Sequence, residues 1–153
     1  MQTDTQEVVQ IEVKQPEFKI ELVNSNVPIT TSREVLNRFN AKFVSDTFIS
    51  AGIPISTLGY KYLNGAIKAI SLNPDLIDSI TKGLYPTVAK ELNTTPLRVE
   101  RAIRHAIETG WTRGKMRKAL NDIVGKEIYS QYDKPTNKEF IALVFERMYI
   151  QIN

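Results

Sequence analysis

The 153-residue chain has no cysteine, a single histidine and a single tryptophan. Without thiols it has neither a disulfide framework nor a thiolate metal site, and a reducing compartment suits it. One histidine cannot build a multi-imidazole metal site. His105 also stands among arginines, which disfavours both a ligand and a proton-transfer role. There is no glycine-rich phosphate loop and no serine or cysteine nucleophile motif. No apolar run approaches the roughly 20 residues of a membrane span, and the N-terminus lacks the basic and apolar regions of a signal peptide. The expectation is a cytoplasmic chain that is not an enzyme, binds no membrane and needs no cofactor or metal.

What is present is an ordinary globular balance, 42% apolar and 24% charged, at a length that supports one core. The net charge of +3 is unevenly spread. Residues 1–40 carry four Lys/Arg against six Asp/Glu, whereas residues 41–153 carry sixteen against eleven. A basic part behind an acidic leader suits a polyanion-binding domain.

Residues 88–108, VAKELNTTPLRVERAIRHAIE, organise the rest and read as a helix-turn-helix. Val88, Ala89 and Leu92 supply the inner side of a first helix, which Asn93-Thr94-Thr95 breaks. Asn93 tolerates the left-handed geometry of a tight turn. Thr95 can serve as N-cap, with Pro96 at the first helical position, where a missing N–H costs nothing. Val99, Ala102, Ile103 and Ala106 then fall on one stripe at the 3–4-residue spacing of a buried face. The opposite side presents Arg98, Glu100, Arg101, Arg104 and His105, residue types that reach base edges and phosphates. The bland alternative is a solvated helical hairpin with a basic outer face.

Elsewhere, residues 1–30 have strand character. Val9, Ile11 and Val13 alternate with polar residues, as do Phe18, Ile20 and Leu22, so a β-hairpin and a disordered arm both remain open. The helical domain is expected to occupy 31–153. Thr31 and Glu34 fit a capping box ahead of Val35, Leu36, Phe39, Phe43, Thr47 and Phe48, with a stop at Gly52. A helix is expected over 58–72, burying Leu63, Ala66, Ile67 and Ile70. Another begins at Asn73-Pro74-Asp75, turns Leu76, Ile77, Ile80 and Leu84 inward and ends at Tyr85-Pro86. The 110–114 segment closes the second helix of the helix-turn-helix, with Trp111 as a core plug. A helix over 115–124 buries Met116, Leu120 and Ile123. After an irregular 126–134, a Thr136/Glu139 capping box opens a last helix bearing Phe140, Ile141, Val144, Phe145 and Met148.

Several stretches resemble one family: Ile80-Thr81-Lys82, Leu84-Tyr85-Pro86, the run VERAIRHAIE over 99–108, and Lys134-Pro135-Thr136-Asn137 with Glu139-Phe140-Ile141-Ala142. Gly52-Ile53-Pro54, Gly59-Tyr60, Tyr62-Leu63, Trp111 and Arg113-Gly114 match as well. Over about residues 44–150 the chain is similar to the C-terminal DNA-binding effector domains of stage zero sporulation protein A, the sporulation response regulators. The resemblance implies an all-α fold of six or more helices that reads a short promoter element in double-stranded DNA, with tandem copies bound as a head-to-tail homodimer. It implies that Arg98, Glu100 and Arg101 are base or near-base readers and that Arg104 and His105 make backbone or edge contacts. Thr95, Lys82 and Lys134 would contact phosphates. A contact to the RNA polymerase sigma factor would fall near the 109–124 helix. The family's parent begins with a phosphoacceptor receiver for which 153 residues leave no room, so a regulator without phosphorylation control is expected. Gly110 stands where alanine is expected, and 115–132 diverges.

A second reading is a protein-interaction module or antagonist that keeps this fold but pairs with another regulator or the polymerase. The leader's free strand edges and the strongly apolar last helix motivate it. Deletion of residues 1–30 is expected to leave a folded, DNA-competent helical domain. Loss of the cooperative circular-dichroism melting transition in that truncation would show instead that the leader belongs to the core.

Overall fold

The computed structural model describes residues 41–152, with side chains through 150. The alternating strands of 1–30, the boundary at residue 31, the Thr31/Glu34 box and Val35, Leu36 and Phe39 lie outside the described residues. Within them the chain is all-helical, with six α-helices and no strand. These are α1 (41–50), α2 (Leu58–Leu72), α3 (Tyr85–Glu91), α4 (Pro96–Thr112), α5 (Met116–Val124) and α6 (Asn137–Ile152). A 3₁₀ turn (Pro74–Asp78) and a π turn (Ile80–Leu84) join α2 to α3. None of the helices is long and apolar enough to cross a membrane.

The middle layer is α2. Thr57 caps it, its hydroxyl oxygen accepting from the Tyr60 N–H at 3.3 Å. The helix buries Leu63, Ala66, Ile67 and Ile70, the stripe expected from their spacing, together with Tyr62. It packs against α4, α6 and α3, so the apolar faces of three helices lose water against one. At the end of the core nearest α1, Phe48 stacks on Phe140 of α6 with ring centroids 5.8 Å apart, and Tyr60 meets Phe48 edge-on at 5.7 Å.

The α2–α4 crossing is unusually close because Gly59 lacks a side chain. A Cβ there would lie 2.5 Å from both the Ala102 carbonyl oxygen and the Ala106 Cβ. The first is backbone and cannot yield unless α4 moves.

The capping box of α6 forms as expected. The Thr136 N–H donates to Glu139 Oε1 at 2.9 Å, and the Glu139 N–H donates to Thr136 Oγ1 at 3.2 Å. Phe140, Ile141, Val144, Phe145 and Met148 are all buried. The irregular stretch before α6 is held by Asn121 on α5. Its side-chain oxygen accepts from the N–H groups of Ile128 (2.9 Å) and Tyr129 (3.0 Å), and its amide donates to the Tyr129 carbonyl (3.2 Å). Met116 and Leu120 are buried as expected, Ile123 partly so, and α5 starts one residue later than the expected 115.

One expectation is corrected. The single helix from residue 73 to Tyr85-Pro86 is instead a 3₁₀ turn, a break at Ser79 (φ −139°, ψ 63°) and a π turn that runs directly into α3. Asn73 makes no side-chain cap. Of the expected inner face only Leu84 is buried, while Leu76, Ile77 and Ile80 are half-buried. Pro86 explains the register change. Inside one continuous helix it would lack an N–H and push its ring into the carbonyl four residues back. Here Leu84 and Tyr85 bond back five residues, to Ser79 and Ile80, and Pro86 falls in the first turn of α3, where proline fits.

The 110–114 segment closes α4 as expected, the helix running through Gly110 and Trp111 to Thr112. Gly110 does not stop it. A Cβ there would run into the Ala51 carbonyl, so this glycine lets α4 lie against the end of α1. The stop falls at Gly114, whose φ of +75° a helix cannot continue. Trp111 packs against the core, partly buried.

Gly59→Ala sets a gain in helix propensity of about 1 kcal/mol against overpacking on backbone, which typically costs about 1–3 kcal/mol. With two contacts at 2.5 Å, the clash is expected to win. Urea unfolding should show a lower midpoint with an unchanged slope.

Candidate nucleic-acid interface

The interface is built from α3, the 92–95 turn and α4. The end of α3 is closed by the Leu92 N–H donating to the Val88 carbonyl (2.9 Å) and the Thr94 N–H donating to the Ala89 carbonyl (2.8 Å). Asn93 takes the left-handed conformation (φ 56°), among the described residues the only non-glycine to do so. Thr95 is extended (φ −113°, ψ 152°), and its hydroxyl accepts from the Arg98 N–H at 3.2 Å, with Pro96 next. Sequence and geometry agree at every position of this turn. The cap uses only the oxygen of Thr95, so its O–H remains a donor.

Val99, Ile103, Ala106, Ile107 and Gly110 form the buried side of α4, and Ala102 is partly buried. Arg98, Arg101, Arg104 and His105 are exposed on the other side. Glu100 is half-buried, and Arg104 Nη1 donates to its Oε2 at 2.6 Å, a helical i, i+4 pair. The five residues expected on the reading face therefore share one helix, with one carboxylate already engaged by its neighbouring guanidinium.

Lys134 reaches the same helix from the loop before α6, its Nζ 3.3 Å from Glu108 Oε2. Lys82 does not join them. It lies exposed on the π turn ahead of α3, and among the described residues no hydrogen bond or ion pair ties it to α4. A groove of about 960 Å³ runs beside α6, lined by Ile128, Tyr129, Tyr132, Phe145 and Tyr149 among others. Of the expected site residues only Lys134 borders it.

One positioning group is absent from the sequence reading. Asn137, in the first turn of α6, donates through Nδ2 to the Tyr85 hydroxyl (3.0 Å) and to the Glu100 carbonyl (3.2 Å). It thus ties α6 to both helices of the helix-turn-helix, at the residue whose side chain faces the reading surface. Burial holds the Tyr85 phenol above its ordinary pKa. The Asn137 hydrogen bond opposes this shift, the Glu100 charge adds to it and Arg104 opposes it. The phenol therefore stays protonated at neutral pH. Nothing local to Pro135-Thr136-Asn137 could show this, because both partners are distant in sequence.

Residues 44–148 match the model of the sporulation initiation factor Spo0A C-terminal domain. The chain belongs to that family. The match covers more than half of the chain and includes all six described helices in whole or part. Spo0A C-terminal domains are DNA-binding effector domains of transcription regulation in sporulation, and their role is regulatory rather than catalytic.

Asn137→Ala removes the donor while leaving the buried Tyr85 hydroxyl and the Glu100 carbonyl in place, a loss of about 1–3 kcal/mol. A lowered thermal midpoint is expected, and a Tyr85→Phe, Asn137→Ala double variant should lose less than the sum of the single changes.

Proposed function

We propose that this chain is a sequence-specific reader of double-stranded DNA that regulates transcription at the promoter elements used by Spo0A regulators, or at overlapping ones, without a phosphorylation signal. The supporting observation is the capped 17-residue α4, which carries Arg98, Glu100, Arg101, Arg104 and His105 on the side opposite its core stripe. Its turn, cap and packing are formed, which supports this reading.

In this reading α4 lies in the major groove. Arg98 and Arg101 grip guanine through two parallel hydrogen bonds, and Glu100 accepts from a cytosine amino group. Arg104 and His105 take the backbone or a base edge. Thr95, Lys134 and Lys82 take phosphates, Thr95 through its unused O–H and Lys134 after leaving Glu108. Two copies bind tandem elements head-to-tail. A sigma-factor contact would use α5 and its approach, where Lys115, Arg117 and Lys118 are exposed.

The test is fluorescence anisotropy of the unphosphorylated chain on two labelled duplexes, one with the Spo0A promoter element and one scrambled, at low and near-physiological salt. The expected result is preference for the element, with affinity that falls as salt rises because phosphate contacts release counterions. Equal, salt-fragile binding to both duplexes, or no binding, would overturn the reading and turn attention to a protein partner. Arg101→Ala should cost about 1–3 kcal/mol and relax discrimination at one base position, read by repeating the titration on single-base variants of the element.

A further inference from the structure

The exposed side chains of α4 are proline, threonine, histidine and arginine, with one exception. Leu97, in the first turn, is 55% exposed. At about 100° per residue it projects within about 40° of Arg101 and about 20° of Arg104, and roughly 180° from buried Ala106. Leu97 thus sits in the middle of the outward arc, with Arg98 to one side and Glu100 to the other. It adds nothing to the core, and the cap at Thr95 does not use it. A polar residue there would fold equally well and shed the cost of an exposed isobutyl group.

In major-groove docking, the first residues of the reading helix meet base edges. Among the groups that base pairs present there, the C5-methyl of thymine is the apolar one. We propose that Leu97 is a specificity-determining residue that packs on the C5-methyl of a thymine in the recognised element, an inference that rests on the DNA-reading function above. The element then contains a thymine beside the base pairs read by the arginines. Leu97 selects it by removing that methyl and its own side chain from water, with no hydrogen bond involved.

The test uses the full chain and the duplex that it selects from a random-sequence pool. Each thymidine of that duplex is replaced in turn by deoxyuridine, which removes the methyl and keeps the pairing. Affinities are measured for the wild type and for Leu97→Ala, with circular-dichroism melting of the variant as the folding control. At one thymine, the wild type should lose about fourfold in affinity, the equivalent of one buried methyl group. Leu97→Ala should bind the unmodified duplex more weakly and lose little further at that same position. If a sequence is selected but every deoxyuridine costs the two proteins the same factor, the Leu97 assignment is overturned and the DNA-reading function stands. If the pool yields no preferred sequence, both fall.

Discussion

The structure depends on one close approach, α2 against α4 at Gly59. A single hydrogen in place of a side chain lets the α4 backbone at Ala102 and the methyl of Ala106 come against α2. This contact sets the depth at which α4 sits. With α4 seated, Val99, Ile103 and Ile107 reach the shared core, and everything on the far side of the helix is presented outward. Gly110 repeats the device at the other end of α4, against the Ala51 carbonyl. Two missing side chains, acting on α4 about one to two helical turns apart, therefore fix its pose, since interiors packed at crystal density transmit small shifts.

The outer face is held ready at little cost. The Glu100–Arg104 pair has the favourable order, with the acid four residues before the base, but such exposed pairs are worth only about 0.3–0.5 kcal/mol. Arg104 is 54% exposed and Glu100 28%, so water competes for both partners. The pair limits where the two side chains go in the free protein and opens cheaply when a phosphate or a base edge offers a better partner. The Lys134–Glu108 contact, exposed on both sides, has the same character. By contrast, the Asn137 bonds to Tyr85 and to the Glu100 carbonyl hold buried or half-buried groups, and their loss leaves partners unsatisfied. The firm interactions thus fix the position of the α4 backbone, and the soft ones act on the side chains of its outer face.

What the sequence could show follows from locality. The α2 stripe, the α4 stripe, the Thr95 cap with Pro96 and the reciprocal Thr136/Glu139 box each rest on steps of four residues or fewer, and all appear in the structure. The 73–86 segment was misread because apolar spacing at 76, 77, 80 and 84 suits one helix, while Pro86 forces a register change that spacing does not reveal. Gly110 carries no local signal of the contact it makes. Its actual role is set by Ala51, 59 residues earlier in the chain. Asn137 escapes for the same reason, whereas the outward position of Leu97 follows from helical spacing alone. Of the eight expected site residues, the geometry places five on α4, one at its cap and one beside it. Lys82 alone stands apart from α4.

The charge inventory bears on how such a domain would discriminate. The net charge is only +3, and several cations are already paired, including Lys42 with Asp46, Lys118 with Asp122 and Arg117 with Glu127. Such exposed pairs open cheaply, and phosphate contacts made by these and the remaining lysines and arginines add binding that is independent of sequence. Selectivity must then come from base edges. In the proposed reading, two bidentate arginines would supply about 2–6 kcal/mol of discrimination, whereas specific readers typically show about 4–10 kcal/mol over non-specific binding. One copy falls at or below the lower part of that range. A second copy on an adjacent element doubles the term and covers it, which gives the proposed head-to-tail pairing a thermodynamic reason independent of any contact between the two proteins.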